Sequence, residues 1–244
     1  MKRIMLTISY DGTGYCGWQV QPNGITVEEV LNRELSKLLN EEIHVIGASR
    51  TDSGVHAMGN VCVFDTGAKI PGDKISFALN KALPEDIVVQ NSKEVSPDFH
   101  PRHCDSRKTY EYHIWNAQFP LATNCRYTHH VHDNLDIDAM RKGAAYLLGE
   151  HDFTSFCSVG TQAESKVRTI YSLDVLQDGP LVTIRITGNG FLYNMVRIIA
   201  GTLLQIGTGT KEPDFVKEAL EAMDRNAAGP TAPAKGLTLV GIEY

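Results

Sequence analysis

The sequence predicts an α+β chain of two successive units, each running strand, helix, strand, strand, helix, strand. Three observations carry that prediction. Each half opens on an alternating apolar strand, helix signals precede apolar runs of helical period, and turn residues separate adjacent strands. The expected boundary divides 1–104 from 105–244, and the halves share an order of elements rather than sequence identity.

In the first half, Lys2 to Tyr10 alternates as a strand with Ile4, Leu6 and Ile8 on one face, and a loop holding Gly12, Gly14 and Gly17 follows. Thr26 before Val27-Glu28-Glu29 forms a capping box, opening a helix with apolar residues at Val27, Val30, Leu31, Leu35 and Leu38. Strands are expected at Ile43–Ala48 and Asn60–Asp65, then a helix from about Asp73 to Leu83 stopped by Pro84, then a strand at Ile87–Val95.

In the second half, Thr109–Trp115 is a strand with Tyr110, Tyr112 and Ile114 on one side. A helix from Ile137 to Leu148 ends at Gly149. Val167–Leu176 and Leu181–Thr187 form a hairpin turning at Asp178-Gly179. An apolar helix begins at Phe191, a shorter one spans Asp214–Met223, and the last strand is Leu237–Ile242. This order is the ferredoxin-like, split βαβ layout, and two such antiparallel sheets could join into one central sheet with helices on one side.

Composition excludes several classes. Hydrophobic residues are 42% and charged ones 21%, as in an ordinary soluble domain. The most apolar stretch, Phe191 to Ile206, is interrupted by Asn194 and Arg197 and falls short of a membrane span. Met1-Lys2-Arg3-Ile4 leads directly into a strand pattern with no signal-peptide core, so a cytoplasmic location is expected. Five scattered cysteines support neither a disulfide framework nor a zinc site. The cluster His129, His130, His132 lacks both an i,i+4 helical pair and nearby thiolates, so it reads as a solvated loop, and no metal is expected. The net charge of −6 weighs against a nucleic-acid partner unless charge is segregated. Arg102, Arg107, Lys108 and Arg126 face only Asp105 and Glu111 in their window, which permits such segregation.

Four motifs remain. Gly12-Thr13-Gly14-Tyr15-Cys16-Gly17 matches a dinucleotide fingerprint, but Trp18 to Gly24, including Pro22, intervenes before the helix cap at Thr26, so it reads as a plain glycine loop. Arg50-Thr51-Asp52-Ser53-Gly54 reads by itself as a turn, although such a turn can present a carboxylate and a guanidinium together. Helical spacing from Phe191 puts Asn194, Arg197 and Gly201 on one face of an apolar helix. Arg197 there either snorkels to the surface or pairs with a carboxylate, for which Asp52 is the candidate, and such a pair would keep Asp52 ionised for attack. Arg107-Lys108-Thr109-Tyr110-Glu111-Tyr112 joins basic residues to alternating aromatics, which suits phosphate contact with base stacking as well as plain packing.

Together these segments resemble the tRNA pseudouridine synthase A family along the full chain. The resemblance begins at Asp11-Gly12-Thr13 and Gly17-Trp18-Gln19 and continues through Arg50-Thr51-Asp52 and Gly54-Val55-His56-Ala57. It resumes at Phe99-His100, at Ser106-Arg107 with Tyr110, and at Gly149 to Phe153. It closes at Gly190 to Leu192, Asn194 to Arg197, and Ala232 to Leu237. Ser49, Ser53 and Pro101 depart from the family pattern without removing a reactive group.

The resemblance implies conversion of uridine to pseudouridine on the 3′ side of the tRNA anticodon stem-loop, with no metal or organic cofactor. It further implies a homodimer whose clefts share one tRNA. It assigns Asp52 as nucleophile, Tyr110 beside the target base, Arg197 as partner of Asp52, and Arg50 and Leu237 as pocket lining. The chemistry is consistent: a carboxylate can hold the ribose C1′ or the base C6 while the uracil turns, and the target must first leave the stack. Two other readings stay in view: a catalytically silent RNA-binding module of two recognition-type units, and a nicotinamide dehydrogenase resting on the glycine loop alone.

Overall fold

The computed structural model describes residues 1–161 and 163–244. Among them are ten strands and five α-helices, a mixed α+β chain with mostly antiparallel ladders. Contacts divide it into a first unit, Met1–Asp105 with Leu239–Tyr244, and a second unit, Ser106–Thr238.

The first unit runs β1 (Lys2–Tyr10), α1 (Val27–Leu39), β2 (Ile46–Gly47), β3 (His56–Thr66), α2 (Ile75–Leu79) and β4 (Ile87–Val95). β1 lies between β4 and β3, antiparallel to both. Its even face carries Ile4, Leu6 and Ile8, each with no exposed surface. Burial of each such side chain contributes about 1.5–3 kcal/mol. Thr26 caps α1 as expected, its side chain accepting from Glu29 N, and Val27, Leu31 and Leu35 are fully buried.

Two elements are shorter than the pattern suggests, and side chains explain both. Ile43 N donates to Ser36 Oγ at 2.9 Å and Val45 N to Asn32 Oδ1 at 2.8 Å, so α1 takes the donors a longer β2 would need. Helix α2 ends near Asn80, whose side chain donates to Val89 O at 2.9 Å and accepts from Val89 N at 2.8 Å. Docking to β4, rather than Pro84, is what accompanies its end.

The second unit runs β5 (Arg107–Asn116), β6 (His129–Val131), α3 (Ile137–Ala145), β7 (Gly149–Asp152), β8 (Val167–Asp178), β9 (Leu181–Gly188), α4 (Met195–Gly207) and α5 (Phe215–Ala222). Its strands lie in the order β5-β9-β8-β7, with β6 parallel to β5. Two of the three clustered histidines are therefore in a strand rather than a loop, Ile114 pairing with His129 and Trp115 with His130, while His132 follows the strand and is exposed. Asp136 caps α3 by accepting from Ala139 N, and α3 gives way to i→i+3 bonds from Tyr146, Leu147 and Leu148 before Gly149 opens β7. Helix α4 starts at Met195, not Phe191, because Asn194 sits at φ 59°, outside the right-handed region.

The last strand, β10 (Leu237–Glu243), begins in the second unit and lies beside β3 in the first, where the order is β4-β1-β3-β10.

Candidate active site

Asp52 lies in the loop between β2 and β3. Val55 N donates to Asp52 O at 3.1 Å and Gly54 has φ 77°, so residues 52–55 close a tight turn whose third position needs glycine. Asp-Ser-Gly is thus a turn, and the turn is the means of presentation. Asp52 is half-buried and follows the buried Thr51, while Arg50 is exposed.

The glycine loop packs against this turn. Residues Gly12–Gly14 form one 3-10 turn capped by Asp11, and no α-helix starts before Val27. A Cβ on Gly12 would stand 2.0 Å from Val55 O, and one on Gly17, at φ 83°, 2.6 Å from Thr51 O. Only glycine lets the two backbones approach so closely. Trp18 N donates to Thr51 O at 3.0 Å, Ser53 Oγ to Tyr15 O at 3.2 Å, and Gly12 N to His56 Nδ1 at 3.1 Å. The loop is itself anchored: Tyr15 Oη donates to Asp86 Oδ1 at 2.6 Å, and Asp11 N to Asp86 O at 3.0 Å. Burial and then Asp86 push the Tyr15 phenol far above its ordinary range, so it stays a proton donor. Sequence reasoning assigned the glycines no part in the site; the close spacing of Gly12, Gly14 and Gly17 was the signal available.

In the second unit, Arg197 sits in the first turn of α4 and is half-buried. Its Nε donates to Ala232 O at 2.8 Å and its Nη1 to Asn194 Oδ1 at 2.8 Å. The left-handed turn at Asn194 brings that amide oxygen back over the helix, and Asn194 Nδ2 is tied to Ser158 Oγ at 2.9 Å. A Cβ on Gly201 would stand 1.8 Å from Pro230 O, so a bare position on α4 admits the 230–232 segment that supplies the Ala232 carbonyl.

That segment also reaches β5. Tyr112 is fully buried and its hydroxyl donates to Pro233 O at 2.9 Å, while burial holds its phenol well above the usual range. Tyr110 is 7% exposed and meets Phe191 edge-on with ring centroids 5.3 Å apart. Leu237 is buried at the start of β10. Sequence reasoning singled out Arg197 but missed Ala232 and Asn194 as its hydrogen-bond partners, and a backbone carbonyl leaves no mark on a residue pattern.

Comparison with known proteins settles the family. The family described as tRNA pseudouridine synthase matches residues 6–103 and 144–244. Proteins named tRNA pseudouridine synthase A from Ruminiclostridium cellulolyticum and Brevibacillus brevis are each 49% identical to the chain, and one from Acetivibrio thermocellus is 47% identical. In all three cases the similarity covers the whole of both chains.

This chain belongs to the tRNA pseudouridine synthase family.

Within this family member, Arg50 and Asp52 lie in the first unit, and Tyr110, Arg197 and Leu237 are assigned to the second. Tyr110 falls in the interval outside the family match, an interval its full-length relatives nonetheless cover. Among the described residues no group of three or more His, Cys, Asp or Glu could hold a metal ion. No helix among them is long and apolar enough to cross a membrane.

Proposed function

We propose that this chain isomerises uridine to pseudouridine in the anticodon stem-loop of tRNA, with Asp52 as the nucleophile. One observation carries the proposal: a half-buried carboxylate on a turn that the glycine loop fixes from behind, in a member of this family. A carboxylate held at the bottom of a tight turn is placed to attack with little loss of freedom on substrate binding.

In the reaction the N1–C1′ bond breaks, the uracil turns, and a C5–C1′ bond forms. The proton on C5 is lost and one is gained on N1, so no oxidant or reductant is consumed. Asp52 bonds to C1′ or to C6 while the base turns and is released at the end. Tyr110, backed by Phe191, supplies an aromatic wall for a base taken out of its stack. By family resemblance, Arg197 supports the nucleophile, and Arg50 and Leu237 contribute to holding the substrate. No cofactor takes part.

The same proposal extends to the assembly. Each unit is a ferredoxin-like βαββαβ fold, a reading supported by the element order of the first unit and by β5, α3, β8, β9 and α4 in the second. The enzyme works as a cytoplasmic homodimer on one tRNA.

The decisive measurement is pseudouridine mapping of tRNA incubated with wild type and Asp52→Asn. The variant should bind tRNA with unchanged affinity and form no pseudouridine. Normal turnover by Asp52→Asn would remove it as nucleophile. Tight tRNA binding by wild type with no modified uridine after long incubation would favour a silent RNA-binding module.

A further inference from the structure

Beneath the Asp52 turn lies a buried polar chain that the proposed chemistry does not use. Asn60, on β3, has no exposed surface, Tyr10 is 4% exposed and Thr51 7% exposed. Asn60 Nδ2 donates to Tyr10 Oη at 3.2 Å and to Ser49 O at 3.1 Å, while its Oδ1 accepts from Val61 N at 2.9 Å. Both amide groups are therefore engaged, and the bond from Val61 N fixes which way the amide points. Tyr10 Oη in turn lies 2.7 Å from Thr51 Oγ1, the residue immediately before Asp52.

The strands are bent to make this possible. Ile8 pairs with Asn60 but Tyr10 pairs with Ala57, so β3 takes three steps while β1 takes two. Such a bulge re-aims side chains, here at the end of β1 where Tyr10 meets the loop. A buried polar group left without a partner is costly, and in this chain the Asn60 amide and the Tyr10 and Thr51 hydroxyls are all hydrogen-bonded. Full satisfaction in a buried network favours one geometry over its neighbours.

We propose that Asn60, Tyr10 and Thr51 are positioning residues for Asp52: they lock backbone 49–51 to β1 and β3 and so aim the following carboxylate. None of the three touches the substrate. The inference rests on Asp52 being the nucleophile, and its test keeps the two separable.

Tyr10→Phe and Thr51→Val preserve volume and break the chain at different links, and Thr51→Ser keeps the hydroxyl. The measurement is kcat and KM for tRNA on the folded fraction of each variant, with Tm alongside. Tyr10→Phe and Thr51→Val should each lower kcat by roughly 10- to 100-fold at nearly constant KM, as expected for a misaimed reactive group. Thr51→Ser should recover most of that loss. If Tyr10→Phe fails to fold, the contrast between Thr51→Val and Thr51→Ser decides alone.

Wild-type kcat in the folded Tyr10→Phe or Thr51→Val enzyme, with only Tm lowered, would reduce the chain to core packing and overturn the inference. A loss confined to KM would overturn it as well. Turnover by Asp52→Asn would instead remove the nucleophile on which the inference rests, a distinct result because the carboxylate itself would prove dispensable.

Discussion

The Asp52 turn and the start of α4 fix a charged side chain in opposite ways. Around Asp52 the surroundings hold the turn: Gly12 and Gly17 let one loop lie against another, Trp18, Tyr15 and Val55 bond through main-chain groups, and Asn60 and Tyr10 reach Ser49 and Thr51. Around Arg197 the work is done by the side chain itself, which ties Asn194 to the Ala232 carbonyl. The first arrangement is a mould into which a carboxylate is placed. The second is a clasp of which the guanidinium is a part. It follows that changing Arg197 should loosen the fold around α4.

The largest expected effect tests the mould. Gly12→Ala drives a Cβ to 2.0 Å from a backbone oxygen, so something must move. It should cost about 3 kcal/mol or more in urea unfolding, the scale of a severe steric change in a packed region, and abolish turnover. A loss below about 1 kcal/mol would show that the loops are not held in register by contact.

Arg197→Lys tests the clasp. A lysine cannot reproduce the fork of Nε and Nη1, so the Ala232 and Asn194 oxygens lose a charged donor. A stability loss of about 1–3 kcal/mol is expected, larger than that of Asp52→Asn, whose amide keeps the size of the carboxylate and one of its acceptor oxygens. Equal losses in the two variants would erase the distinction between the regions.

The smallest effect is a control within the first unit, away from the turn. Arg3 holds Asp65 through Nε and Nη2 bonds of 2.8 and 2.6 Å, and that hydrogen bonding keeps the Asp65 carboxyl below its usual range. A depressed carboxyl contributes stability above the unfolded value near 4 and loses it as pH falls through the folded value. Because Asp65 is 40% exposed, the contribution should stay below about 1 kcal/mol. Asp65→Asn should flatten the acid limb of a urea-midpoint titration slightly and leave kcat unchanged. A steep residual loss of equal size in both proteins would place the acid sensitivity elsewhere.

What the sequence disclosed divides along the same line. Local rules were legible: alternation gave β1, Thr26 placed the start of α1, and Asp-Ser-Gly gave the turn at Asp52. Features set by distant partners were not. The shortness of β2 depends on Ser36 and Asn32, the start of α4 depends on a left-handed Asn194, and the three residues of β6 carry too little alternation to announce a parallel pairing. At the site, Asp52, Arg197 and Tyr110 stood out as residue types in suggestive company. Tyr10 did not, although it continues the buried face of Ile4, Leu6 and Ile8, because its hydroxyl finds Thr51 across forty-one positions of chain.

The path of β10 bears on how the protein comes into being. Residues Leu239–Tyr244 complete the first unit beside β3, yet they leave the ribosome after the whole of the second unit. The segment that carries Asp52 must therefore wait, its β3 edge unpaired by β10, until the rest has been made. A strand edge left open during synthesis is a standing invitation to mispairing. Nascent chains stalled before Leu239 should thus be far more protease-sensitive around β3 than released ones, and vectorial synthesis sets the moment at which the nucleophile-bearing unit can close.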